Sequence, residues 1–118
     1  MQYTFLLYSK PADFAHMTPD DWAKEKQAYQ AYIGALHEAG IFVGTDWLQP
    51  ADTATTITMK DGEKRVQDGP FAETKETLGG SFTINVPDLD AALAWAEKCP
   101  AAKHGKVEIR ASAMPTDG

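Results

Sequence analysis

The first predicted strand constrains the fold most, because both of its faces are apolar. Residues 3–8 read Tyr-Thr-Phe-Leu-Leu-Tyr, an aromatic and aliphatic run that ends at a Ser-Lys-Pro turn. Tyr3, Phe5 and Leu7 fall on one parity, whereas Leu6 and Tyr8 fall on the other. Because successive side chains of a strand point to opposite faces of a sheet, this strand has to be covered on both sides.

A first helix is predicted over residues 19–39, after a loop at 10–17. Thr18 is its expected N-cap, Pro19 stands at the first helical position, and Asp21 occupies the capping-box place. Gly40 is its expected stop. The side chains predicted to pack inward from this helix are those of Trp22, Tyr29, Tyr32, Ile33 and Leu36, with the stem of Lys26.

A second helix is predicted to begin after Asp88, its N-cap, and to end at Pro100. Its predicted apolar stripe consists of Leu89, Ala92, Leu93, Ala96 and Cys99. Cys99 lies at the helix C-terminus, where the helix dipole opposes a thiolate, so we interpret it as a packed structural thiol.

The remaining β-branched and apolar runs predict strands over 41–48, 54–59, 64–67, 81–86 and 106–111, with Asp61 and Gly62 as a hairpin turn. In the strand at 41–48, Ile41, Val43 and Trp47 are predicted to share one face. Phe42, Asp46 and Leu48 are predicted to share the other. A carboxylate among such apolar neighbours is unusual unless it has a partner or a function.

The order of these elements is strand, helix, strand, hairpin, strand, helix, strand. It predicts an α+β protein on a ferredoxin-like βαββαβ plan with an inserted β-hairpin, in which an antiparallel sheet carries both helices on one face. A single copy has no element left to cover the other face of the sheet. We therefore expect a homodimer in which two sheets pack face to face.

Polar side chains alternate with apolar ones on two of the predicted strands. Asn85 shares a face with Thr83, and Glu108 shares a face with Arg110. If those faces point away from the helices, the polar groups meet inside the dimer and line a pocket.

Composition excludes several classes of function. The 118 residues fit one domain, predicted over 1–114 with a disordered tail at 115–118. A net charge of −6 repels phosphate backbones, so no nucleic-acid partner is expected. No apolar run approaches the roughly 20 residues that span a bilayer. The single cysteine indicates a reducing compartment, and we expect a cytoplasmic protein. The three histidines have no ligand spacing, so neither a metal nor a cofactor is expected.

Residues 68–80 form a segment that is neither an ordinary helix nor an ordinary strand. It opens with the turn sequence Asp-Gly-Pro and ends with Gly-Gly, which marks a second turn or a close backbone approach. Asp68, Glu73, Lys75 and Glu76 bring four charges into this segment. A segment bounded in this way is either a connector or the wall of a site.

The sequence Asp-Gly-Pro-Phe-Ala-Glu-Thr-Lys-Glu-Thr-Leu-Gly-Gly at 68–80 resembles the defining motif of the DGPF-domain proteins, the YCII-related family. Leu-Gln-Pro at 48–50, Val-Pro-Asp-Leu-Asp-Ala-Ala at 86–92 and Val-Glu-Ile-Arg at 107–110 agree with it, so the resemblance covers nearly the whole chain. The resemblance implies a dimeric α+β barrel. Members of this superfamily include small isomerases and metal-free mono-oxygenases, and relatives occur fused to or encoded beside sigma-factor-like regulators.

The chain departs from the family pattern in two respects. Asp46 stands where the family has Glu in its second strand. For the wider YCII group a histidine–aspartate pair is suggested as catalytic, and none of His16, His37 and His104 is matched to that histidine.

Three carboxylates are the candidate acids or bases of an isomerase- or lyase-like proton transfer, namely Asp68, Asp46 and Glu73. The candidate ligand-binding side chains are Arg110, Lys75, Glu108, Asn85 and Phe71. Arg110 suits a carboxylate or a phosphate on a ligand because its fork binds two oxygens. A small carboxylate or an aromatic molecule is the expected ligand.

Each candidate also has a structural interpretation. Asp68 accepts backbone N–H groups in a turn, Asp46 pairs with Arg110, and Glu73 and Lys75 form a solvated charge cluster. Glu108 and Arg110 form an ion pair across the dimer. On these interpretations the protein is a non-catalytic dimeric module that serves a sigma-factor-like regulatory partner.

Overall fold

The computed structural model describes residues 1–114, so the tail predicted to be disordered lies outside the described residues. The strands are β1 Gln2–Ser9, β2 Phe42–Trp47, β3 Thr55–Lys60, β4 Glu63–Asp68, β5 Thr77–Asn85 and β6 Lys106–Ala111. The helices are α1 Pro19–Glu38, α2 Leu89–Lys98 and the short α3 Ala101–His104, and single 3₁₀ turns lie at Pro11–Phe14 and Ala51–Thr53. None of the helices in this part of the chain combines the length and the apolar character needed to cross a membrane.

Local signals place the helix starts where the sequence predicts them. The Thr18 hydroxyl accepts a hydrogen bond from the Asp21 backbone N–H at 3.1 Å, and the Asp21 carboxylate accepts one from the Thr18 N–H at 3.0 Å. The hydrogen bond from the Thr18 backbone N–H, and after it one from the Thr18 side chain, lowers the pKa of the Asp21 carboxyl. Asp88 caps α2 in the same manner, because its carboxylate accepts from the Ala91 N–H at 2.9 Å.

Four antiparallel strands form the main sheet in the order β2-β5-β1-β6. This order is compatible with the ferredoxin-like plan. The inserted hairpin is a separate two-stranded sheet, β3-β4, whose turn at Asp61 and Gly62 has positive φ angles of 52° and 80°. The α+β class, the antiparallel pairing and the inserted hairpin therefore agree with the sequence prediction.

The core lies between the helices and one face of the main sheet. Alternate side chains of β1 and β5 point into it, among them Phe5, Phe82 and Ile84. Tyr32 joins the two long helices, because its hydroxyl donates to the Trp95 carbonyl at 2.7 Å. The buried set consists of Tyr3, Phe5, Leu7, Tyr32, Leu36, Phe82, Ile84, Val86, Ala92, Ala96 and Cys99.

The predicted faces of the second strand are wrong. The register of β2 against β5 shifts between Phe42 and Gly44, so that Val43 is an extra residue in the ladder. The shift reverses the alternation, and Phe42 and Trp47 both point toward α1, where they contact the rings of His37 and Tyr29. Asp46 consequently faces away from the helices, opposite Ser81, and does not share a face with Phe42.

Three side chains predicted to be in the core are exposed. Trp22 stacks on Phe14 from the preceding loop, with ring centroids 5.8 Å apart, and does not reach the sheet. Leu89 and Leu93 lie at the edge of α2, because this helix packs on the sheet through the small residues Ala92 and Ala96. Small side chains let the helix approach closely, which turns the flanking leucines outward.

Cys99 is fully buried, and burial raises the pKa of its thiol from 9.0 to about 11. A raised native pKa contributes stability that is complete below pH 9 and is lost as the pH rises toward 11. Burial also raises the pKa of Tyr29 and Tyr32, which acts in the same direction at alkaline pH.

We therefore expect Cys99 in the native protein not to react at pH 8 with a reagent that modifies thiols by disulfide exchange. We also expect the melting temperature to fall as the pH rises above 9. The reagent assay and a pH series of melting curves measure the two effects. The urea-unfolded chain is the control and should react at once. Equal rates in the native and unfolded chains would contradict the buried, protonated thiol.

Candidate functional site

The segment at 68–80, hereafter the motif segment, begins with a turn at the base of the β3-β4 hairpin. Asp68 is the last residue of β4 and lies opposite Thr55. Gly69 has a φ angle of 99°, which favours glycine, and its N–H donates to the Ala54 carbonyl at 2.6 Å. The Thr56 hydroxyl in turn donates to the Gly69 carbonyl at 2.9 Å. The Asp-Gly-Pro part of the motif is thus a defined turn, as predicted.

The middle of the motif is exposed and the end is anchored. Phe71, Glu73 and Lys75 are exposed, and 86% of Phe71 is accessible to solvent. Glu76 is the anchor, because its carboxylate accepts a hydrogen bond from the Lys106 ammonium at 2.8 Å. Residues 70–75 therefore form a charged loop with one exposed aromatic ring, held between the hairpin and β6.

Gly79 and Gly80 belong to β5 and make a close backbone approach, one of the two alternatives for this pair. A Cβ at Gly80 would stand 2.7 Å from the backbone carbonyl oxygen of Asp46 on the neighbouring strand. No side chain fits there without moving β2. The Gly-Gly end of the motif therefore sets how closely β2 and β5 pack.

The face of the main sheet that points away from the helices, hereafter the open face, carries four of the predicted site residues. Two rows cross it: Asp46, Ser81, Leu6 and Glu108 form one, and Thr83, Thr4 and Arg110 form the next. Asn85 lies farther along β5, opposite Gln2. With strands about 4.8 Å apart, Asp46 and Glu108 stand at opposite edges of the sheet, roughly 14 Å from each other.

Arg110 and Glu108 pair with each other in the single chain. The Arg110 Nε lies 3.5 Å from a Glu108 carboxylate oxygen, and the two side chains are 74% and 50% exposed. Such a surface pair is weak. The alternative pairing of Asp46 with Arg110 is not made, because the two residues lie on opposite edge strands. Asn85 accepts a hydrogen bond from the amino group of Met1 at 2.8 Å.

The structure thus places the predicted site residues in two groups. Asp46, Asn85, Glu108 and Arg110 lie on the open face, and Asp68, Phe71, Glu73 and Lys75 lie along the motif segment. Within residues 1–114, no hydrogen bond or ion pair joins a member of one group to a member of the other. A pocket between the sheet and the motif segment stays a prediction.

Sequence reasoning missed a second cluster, on the helical side of the molecule. The His104 Nε2 lies 3.4 Å from a carboxylate oxygen of Glu25, which is only 15% exposed. The pair borders a cleft of about 410 Å³ between α1 and the end of α2, which Lys24, Lys98 and Lys103 also line. His104 and Lys103 border an adjoining cleft of about 260 Å³ as well, together with the Glu76–Lys106 pair.

No local signal in the sequence announces this cluster. The apolar periodicity of the first helix places Glu25 on its solvent side, and His104 stands in a short segment before Gly105. The two are 79 positions apart, and only the tertiary fold brings the end of α3 beside Glu25 of α1. In the described part of the chain, no three or more His, Cys, Asp or Glu side chains are arranged to hold a metal ion.

Comparison with known proteins agrees with the motif. The family model of the YCII-related domain matches residues 1–112. An uncharacterized protein of Rhizobium meliloti (strain 1021) is 32% identical over 120 residues, which cover 100% of this chain and 97% of that relative. The family predicted from residues 68–80 is therefore confirmed. The chain belongs to the YCII-related family.

Proposed function

We propose that two copies of this chain pack through their open faces as a dimeric α+β barrel, and that the dimer binds a small carboxylate-bearing molecule between the sheets. One observation carries the proposal. The helices cover one face of the main sheet, whereas the open face presents an apolar side chain, Leu6, in the middle of polar rows. A second sheet buries Leu6 and encloses the polar groups around it.

The open face has the chemistry to hold such a ligand. The Arg110 guanidinium binds two carboxylate oxygens once it is released from its weak contact with Glu108. The hydroxyl groups of Ser81 and Thr83 lie on neighbouring positions of β5 and supply further hydrogen bonds. Asp46 accepts a proton or a hydrogen bond from the other end of the ligand.

The motif segment completes this pocket in the proposal. Phe71 packs on the apolar part of the ligand, Lys75 is a second anchor for its charge, and Asp68 or Glu73 exchanges a proton with it. The reaction class that these groups support is an isomerase- or lyase-type proton transfer without a metal.

A thermal-shift screen of small aliphatic and aromatic carboxylates tests the proposal. We expect at least one member to raise the melting temperature of the wild type, and Arg110→Ala to bind it at least tenfold more weakly, because the bidentate contact is lost. Arg65→Ala is the matched control, since Arg65 is the other arginine on an exposed strand and lies on the hairpin. Equal binding by the two variants, or no stabilisation by any carboxylate, would overturn the proposed ligand class.

The dimer is measured separately by sedimentation of the purified chain. Leu6→Glu places a charge at the centre of the open face and should convert the dimer to monomers. A wild-type chain that is monomeric at micromolar concentration would contradict the proposed barrel.

A second candidate function is a non-catalytic module that docks on a regulatory, sigma-factor-like protein. The exposure of Phe71 amid charged neighbours favours it, because an isolated exposed aromatic ring is a common anchor at protein interfaces. If this second function holds, Phe71→Ala would abolish binding of the regulator, whereas Arg110→Ala would leave that binding unchanged.

A further inference from the structure

The β3-β4 hairpin, residues 55–68 and hereafter the arm, stands apart from the rest of the molecule. It forms its own sheet, and none of its side chains belongs to the buried core or packs against it. The radius of gyration is 16.3 Å. A compact chain of this length is expected near about 13.5 Å, so the arm extends the molecule.

One face of the arm carries three exposed apolar side chains. Ile57 lies directly opposite Val66, and Met59 follows on the same face opposite Lys64. Thr55 and Asp68 complete that face at the base of the arm. The side chains of Ile57, Val66 and Met59 are 61%, 59% and 63% exposed. The other face carries Thr58 opposite Arg65 and Lys60 opposite Glu63, which suit water.

The arm lacks the contacts that normally stabilise a two-stranded hairpin. An isolated two-stranded hairpin is marginally stable in water and needs a third strand or a packed surface. Hydrogen bonds around Gly69 fix its base, but none of residues 1–114 buries the side chains of Ile57, Met59 and Val66. The arm therefore has apolar surface that is free to pack on another molecule.

We propose that the apolar face of the arm packs on a second copy of this chain. Area is the first reason. The four strands of the main sheet have six to nine residues each and cover roughly 460 Å² in projection. A stable interface buries about 800 Å² per partner, so the open face alone falls short and the arm is the apolar surface that extends it.

Charge is the second reason. The arm contains three basic residues, Lys60, Lys64 and Arg65, and three acidic ones, Asp61, Glu63 and Asp68. It is therefore neutral, while the chain as a whole has a net charge of −6. Two copies of the acidic chain repel each other electrostatically. Because the arm is neutral, its approach to the second copy adds no such repulsion. Two-fold symmetry lets both arms make the same contact.

Two neighbouring substitutions on the arm test the proposal by sedimentation equilibrium of the purified chain. Ile57→Glu puts a carboxylate on the apolar face, and Thr58→Glu puts the same charge on the opposite face. We expect Ile57→Glu to raise the dimer dissociation constant at least tenfold, and Thr58→Glu to change it by less than twofold. Melting curves serve as the folding control, because neither side chain belongs to the core.

Hydrogen exchange of the arm amides gives a second readout. In the dimer the amides of β3 and β4 should exchange at least tenfold more slowly than in Ile57→Glu at the same concentration. The proposal rests on the dimer of the proposed function, and Leu6→Glu separates the arm contact from the sheet-to-sheet contact. Loss of the dimer with Leu6→Glu but not with Ile57→Glu would overturn the arm contact alone, and the converse would overturn the barrel alone. A monomeric wild type with unprotected arm amides would assign the arm to a different partner and overturn this inference.

Discussion

Replacing Phe82 by alanine is expected to lower the free energy of unfolding by about 4 kcal/mol, because the substitution deletes a fully packed aromatic ring. Phe82 is 2% exposed at the centre of the core. Its ring stacks on Tyr29 with centroids 6.1 Å apart and meets Tyr32 edge-on at 5.1 Å, so it connects the sheet to α1. The substitution removes both ring contacts and leaves a cavity between the sheet and α1.

Thermal and urea unfolding measure this effect. At about 4 °C per kcal/mol for a chain of this size, the melting temperature should fall by roughly 15 °C. Phe71→Ala is the matched control, because Phe71 is 86% exposed and its loss should change the stability by less than about 0.5 kcal/mol. Similar losses for the two variants would contradict the placement of the core.

Gly105→Ala is also expected to have a large effect. It should lower the free energy of unfolding by about 3 kcal/mol, because the new Cβ clashes with the backbone of a neighbouring strand. Gly105 lies just before β6, and an alanine Cβ there would overlap the carbonyl oxygen of Tyr8 and stand 2.9 Å from its carbonyl carbon. Tyr8 pairs with Lys106 in the ladder between β1 and β6, so relief of the clash requires movement of that strand pair.

Gly34→Ala is the control for Gly105→Ala and should have the opposite sign. Gly34 is exposed inside α1, and nothing lies within 4 Å of the position that an alanine Cβ would take there. Alanine at this position should raise the stability by about 0.5–1 kcal/mol, because it restricts the unfolded chain and favours the helix. Urea unfolding of both variants measures these changes. A free energy of unfolding that Gly105→Ala leaves unchanged would show that β1 and the start of β6 pack less closely than they do in this structure.

The elements of the fold were predictable because their signals are local. Thr18 with Asp21, and Asp88 with the Ala91 N–H, satisfy backbone groups within three residues, so their pattern is visible in any stretch of sequence. The turn at Asp61 and Gly62 is likewise a property of two residues. The motif at 68–80 was sufficient to predict the family.

The face of Asp46 was not predictable. It depends on the extra residue Val43, and the ladder takes up that residue only when β2 pairs with β5. Strict alternation of faces therefore fails in this strand. The prediction that Asp46 lies among apolar neighbours depended on that alternation. In the structure Asp46 is exposed on the open face.

The sequence by itself determined the order of the six strands and the two long helices and the starts of α1 and α2, because capping, turn formation and periodicity act over a few residues. It did not predict the start of β5 at Thr77 or the short helix α3. Only the tertiary structure decided which distant side chains meet. The Glu25–His104 and Glu76–Lys106 pairs are 79 and 30 positions apart, and their contacts depend on how whole elements pack. The exposure of the arm has the same origin, because burial is a property of the folded chain and not of the residues that are buried.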